Sequence, residues 1–76
     1  MLGDALRERR LAAGLSQERL AERAGIDRTY VSSLERNLQS PTADMLIRVC
    51  RAMGVKASEV LGQIEDDHRL SRRPRR

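Results

Sequence analysis

The stretch SQERLAERAGIDRTYVSSLERN, Ser16 to Asn37, joins two short helical patterns with little more than Gly25 and Ile26 between them. A joint that short fixes the angle between two helices, and so restricts the folds open to the chain more than any other feature. Ser16 offers its hydroxyl to an unpaired backbone N–H at the start of the first pattern, about Gln17 to Ala24. Leu20, Ala21 and Ala24 share one face, and the small Ala21 lets the next helix come close to the backbone. Gly25 turns the chain, and Ile26 can drop into the gap between the helices. Asp27 has the chemistry to cap the second pattern, about Arg28 to Arg36, and Asn37 ranks next after Gly for leaving it.

The remaining chain reads as three further helices. Helix one, about Leu2 to Ala13, places Leu2, Leu6 and Ala13 on one stripe and closes at Gly14. Helix four, about Ala43 to Met53, is capped by Thr42 after Pro41, carries Met45, Leu46, Val49, Cys50 and Met53 as its apolar set, and closes at Gly54. Helix five, about Ala57 to Ile64, is short, with Val60, Leu61 and Ile64 apolar. Seventy-six residues without Phe or Trp and with one Tyr must build their core from Leu, Val, Ile, Met and Ala, which suits close-packed helices. The sequence therefore predicts a compact all-α domain of five helices over residues 1–67, and a basic, disordered tail over 68–76, where Pro74 and the mutually repelling arginines oppose helix.

Helix three carries the functional information. At 100° per residue, Tyr30, Val31 and Leu34 fall on one arc, while Arg28, Thr29, Ser32, Ser33 and Arg36 fall on the opposite one. The first arc is core; the second is free, with slim hydroxyls between two arginines and no carboxylate to repel a phosphate. Arg can make a bidentate contact to guanine, and Thr and Ser can bond several base edges or touch a thymine methyl. The joined pair is a helix-turn-helix whose second helix suits a major groove. A formal charge of +4 leans the same way, although much of the excess lies in the tail.

The segments LRERRLAAGLSQERLAERAG, YVSSLERN, SPTADMLIRVCRAMGV and SEVL together resemble the lambda-repressor-like, XRE-type helix-turn-helix regulators of phage and bacteria, over nearly the whole chain. Within that family, DRTYVSSLER is most similar to the small controller proteins of restriction-modification systems. The resemblance implies that Arg28, Thr29, Ser32 and Ser33 read bases and that Arg36 contacts the DNA backbone. It implies that Gln17 contacts a phosphate and braces helix three. It also implies a buried ion pair of Arg10 and Glu35, which the periodicity supports, because each charge follows an apolar stripe residue, Leu6 or Val31, by four positions. The family often has Gly after the Glu-Arg pair and basic residues in the next loop, whereas this chain has NLQS. Asn37, Gln39 and Ser40, with backbone N–H groups, are the remaining candidates for holding a phosphate there, and Leu38 is assigned to packing or subunit contact.

The expected function is a sequence-specific, double-stranded DNA-binding transcription regulator, acting as a homodimer on a two-fold operator. Val60, Leu61 and Ile64 are the expected dimer strip, being more apolar than so short a helix needs. The competing reading is an antitoxin-like interaction subunit whose DNA binding is secondary. No nucleophile, histidine and carboxylate set and no phosphate-cradling glycine loop is present, so an enzyme is not expected. One cysteine and one histidine are too few for a structural zinc site, and no cofactor is implied. No apolar run approaches the ~20 residues of a membrane span, no signal-peptide core opens the chain, and a reducing cytoplasm in a bacterial, phage or plasmid setting is expected. With no second domain in view, no small-molecule effector is expected. Tyr30 and Cys50 are read as core, and His68 as solvated.

Overall fold

The computed structural model describes the backbone of residues 1–71 and the side chains of residues 1–67. Five helices follow in order, α1 (Leu2–Ala12), α2 (Gln17–Ala24), α3 (Arg28–Glu35), α4 (Ala43–Met53) and α5 (Ala57–Ser71), and the described residues include no strand.

The predicted starts and stops have identifiable chemistry. Ser16 Oγ accepts from the Arg19 N–H at 3.0 Å and Thr42 Oγ1 from the Met45 N–H at 3.1 Å, each satisfying one orphan donor of a first turn. Gly25 sits at φ 71°, a conformation that costs a residue without Cβ little, and the Ile26 N–H then donates back to the Ala21 carbonyl at 3.0 Å. Asp27 departs from expectation: it occupies the N-cap of α3, but its side chain makes no capping bond, and its carbonyl receives the Tyr30 N–H at 3.0 Å instead. Asn37 takes the left-handed exit at φ 59°. The Leu38 N–H then reaches the Ser33 carbonyl at 2.9 Å and the Asn37 N–H the Leu34 carbonyl at 3.1 Å, the paired bonds that finish a helix.

Helix α5 is longer than its apolar pattern predicts, ending at Ser71 rather than near Ile64. Glu65, Asp66 and Asp67 carry no periodic apolar signal and are exposed, yet no Gly or Pro interrupts the chain between Gly62 and Pro74, so the helix continues on propensity. The boundary drawn at residues 67/68 therefore falls inside α5, and the tail from residue 72 onward lies outside the described residues.

Leu6, Leu20, Val31, Val49, Cys50 and Val60 form the fully buried centre, one or two from each helix. Helix α2 lies between α3 and α4, α1 packs on α3 and α5, and α4 closes on α5. Ala21 and Ala24 are buried in the α2 face, where their small side chains admit the neighbouring helices, and Ile26 is half-buried against the same core. Removing the leucine side chain at Leu20 costs about 2–5 kcal/mol on this packing.

Candidate nucleic-acid interface

The two α3 arcs predicted from periodicity are realised. Val31 and Leu34 are buried and Tyr30 packs half-buried against the core. Arg28, Thr29 and Arg36 are exposed, and Ser32 and Ser33 are half-buried between them. Among the described residues, neither Arg28 nor Arg36 has an ion-pair partner, so α3 presents two uncompensated guanidinium groups and three hydroxyls.

A charged clamp behind α3 holds that face in place. Arg10 Nε donates to Glu35 Oε2 at 2.6 Å and Nη2 to Glu35 Oε1 at 3.0 Å, while Nη1 donates to the Leu15 carbonyl at 2.8 Å. The two side chains are only 8% and 4% exposed, so the pair is tolerable because both ions are matched in a bidentate fork and further bonded. The hydrogen bond to Glu35 raises the Arg10 guanidinium above its ordinary value, against a smaller opposing effect of burial, and it stays charged. Gln17 Nε2 completes the clamp, donating to Glu35 Oε1 at 3.0 Å. The first residue of α2, the end of α1 and the last residue of α3 thus meet at one carboxylate.

A second tie was not legible in the sequence. Gly3 lies in the first turn of α1, and a Cβ there would stand 2.5 Å from the carbonyl oxygens of both Leu34 and Glu35. Its absence lets α1 ride directly on the end of α3, where the Gly3 N–H donates to Asn37 Oδ1 at 2.9 Å. Asn37, assigned to the DNA backbone, therefore has its carbonyl oxygen engaged in fixing α1 to α3, which leaves its amide NH₂ for any other contact. The only sequence signal was a glycine in the first turn of α1, where a close approach of another backbone is one reason to do without a Cβ.

Gln39 and Ser40 are exposed beyond α3. They line a groove of about 430 Å³ together with Met1, Leu2, Leu61 and Ile64. The expected dimer strip needs one correction. Val60 is 0% exposed and belongs to the core, because α5 turns it inward against α1 and α4. Leu61, 46% exposed, and the half-buried Ile64 remain at the surface, with Leu38 61% exposed on the α3–α4 loop.

The helix-turn-helix family model matches residues 6–60, from within α1 through the start of α5. The chain belongs to the XRE-type helix-turn-helix transcription regulators. Among relatives of this helix-turn-helix chain, an HTH-type transcriptional regulator of Mycobacterium tuberculosis is 42% identical over 59 residues, covering 78% of the chain and 41% of that protein. The chain thus spans about two fifths of that relative's length. The restriction-modification controller protein C.AhdI of Aeromonas hydrophila superposes with a TM-score of 0.75 at 37% identity, over 78% of the chain and 89% of the controller. SinR, a master regulator for biofilm formation solved in complex with DNA, gives 0.76 at 37% identity, over 80% and 98%. Equal identity to SinR and C.AhdI means that the similarity does not single out restriction-modification control. Membership places the chain among helix-turn-helix transcription regulators, of which SinR is solved in complex with DNA. No helix of the described residues is long and apolar enough to cross a membrane.

Proposed function

We infer that this chain regulates transcription by binding a specific double-stranded DNA operator as a homodimer, with α3 of each copy in a major groove. The observation that carries this reading is the outward arc of α3, whose Arg28 and Arg36, without an ion-pair partner among the described residues, flank Thr29, Ser32 and Ser33 while the Arg10–Glu35–Gln17 clamp fixes the helix from behind. Arg28 at the start of the helix is the proposed reader of guanine, with Thr29, Ser32 and Ser33 bonding neighbouring base edges. Arg36, Gln17, Gln39, Ser40 and the free amide of Asn37 are the proposed grip on phosphates. SinR, a relative of this fold, is solved in complex with DNA, which supports DNA binding by this chain.

The homodimer rests on Leu61 and Ile64 with Met1 and Leu2, an apolar surface that a second copy would cover about a two-fold axis. Because Gln39 and Ser40 border the same groove, dimer contact and phosphate contact are adjacent, and assembly would steady the loop that grips the backbone. Occupancy would then rise steeply with protein concentration through the monomer–dimer equilibrium, without a small-molecule signal. Selection from random duplexes tests the reading. It should return a two-fold site with half-sites about 34 Å, one helical turn, or a multiple of it apart. Failure to enrich any sequence would favour the antitoxin-like, protein-binding role instead.

A further inference from the structure

The face of the molecule on the other side of α2 carries a second charged surface. There Arg23 at the end of α2 meets Ile47, Arg48, Arg51 and Ala52 of α4 around a groove of about 500 Å³. Ile47 and Arg51 also line an adjoining hollow of about 320 Å³ with Val55, Lys56 and Ala57, so the two run together along α4 into the α4–α5 turn. Four cations, Arg23, Arg48, Arg51 and Lys56, face a single carboxylate, Asp44, and among the described residues none of the five is in an ion pair. Arg48 and Arg51 stand three residues apart on one helix, a like-charge spacing that costs the fold stability rather than adding to it. Between the cations lies Ile47, 44% exposed, backed by half-buried Ala52, Val55 and Ala57.

We propose that this groove docks an acidic, amphipathic segment of a partner protein, apolar side chains on Ile47 and carboxylates on Arg23, Arg48, Arg51 and Lys56. Charge complementarity fixes the sign of the occupant. The apolar strip fixes its class, because a phosphate backbone supplies charge but nothing to cover Ile47, Val55 and Ala57, whereas an amphipathic helix supplies both. The 11 residues of α4 span about 16 Å, matching two to three turns of a docked helix. Helix α2 separates the groove from α3, so one copy can hold its operator and this partner together.

The test is a titration of the ¹⁵N-labelled chain with a synthetic helical peptide of Glu, Leu and Ala, about 14 residues long so that three turns lie along α4 while the end residues fray, with its leucines on one face. Amide shifts should centre on Ile47, Arg48, Arg51 and Val55. R48E/R51E should bind at least about tenfold more weakly, and higher salt should weaken the parent complex. I47S should weaken it without changing the salt dependence, and provides a second variant should the double charge reversal not fold. Operator affinity of I47S should equal that of the parent. Any of these binding results overturns the proposal: no binding; shifts centred on Leu61, Ile64 or α3; poly-glutamate binding as tightly as the leucine-bearing peptide; or an unrelated duplex displacing the peptide from the same amides, which makes the groove a nucleic-acid surface. A change in the oligomeric state of the free chain on I47S substitution also overturns it, since the occupant is then a second copy.

Discussion

Glu35→Ala strands the Arg10 guanidinium at a site where its side chain is only 8% exposed, with the Leu15 carbonyl as its remaining partner. Removing one member of a buried pair costs about 3–5 kcal/mol. A domain of this size has only roughly 4–11 kcal/mol of stability in all, so urea melting should show a large fraction of it gone. A midpoint unchanged from the parent would contradict the clamp. Cys50 gives a second residue-scale outcome: burial pushes its thiol above the ordinary value of 9.0, with Arg9 opposing weakly, so the folded state favours the neutral form. Stability from this group is complete below the unfolded thiol's value and declines as pH rises toward the folded one. The native chain should therefore resist thiol reagents at pH values where a denatured chain reacts, which a timed absorbance assay checks; equal rates would contradict it. The Arg10–Glu35 pair was legible through the family resemblance, with support from the helical spacing of both charges from core residues. The inward turn of Val60 was not, because an apolar triplet on a short helix does not say which member faces its own core and which faces a neighbour.

Among the helices, the glycines of α1 and α5 should behave oppositely. Gly3→Ala pushes a methyl to 2.5 Å from two backbone carbonyls, which cannot rotate away as a side chain could. The resulting shift of α1 should cost about 1–3 kcal/mol, outweighing the helix propensity gained. Gly62→Ala meets nothing within 4 Å and should stabilise α5 by about 0.5–1 kcal/mol. Thermal melts of the two variants decide it; a gain for both would mean that α1 is not held against α3. Helix positions were largely legible, since Ser16, Gly25, Thr42 and Gly54 are local signals with local mechanisms. The end of α5 and the Gly3–Asn37 tie were not, because the first continues on propensity past the apolar pattern and the second joins residues 34 positions apart. Asp27 shows the converse limit: capping chemistry in the right place that tertiary geometry leaves unused.

Across the whole molecule, the outward arc of α3 is the proposed reader and the apolar groove beside α5 the proposed dimer contact. Leu61→Asp should convert a dimer to a monomer in sedimentation and lower operator affinity at a fixed concentration while leaving the melt of the protomer little changed, since Leu61 is 46% exposed. A parent chain monomeric at high micromolar concentration, free and on DNA, would contradict the dimer. The most direct test of the central claim compares Arg28→Ala and Arg36→Ala on cognate and scrambled duplexes over a series of salt concentrations. Arg28→Ala should lose about 1–3 kcal/mol on the cognate duplex alone, whereas Arg36→Ala should weaken both duplexes alike and flatten the salt dependence by about one counterion. Equal losses on cognate and scrambled DNA for Arg28→Ala would mean that α3 does not read bases through Arg28.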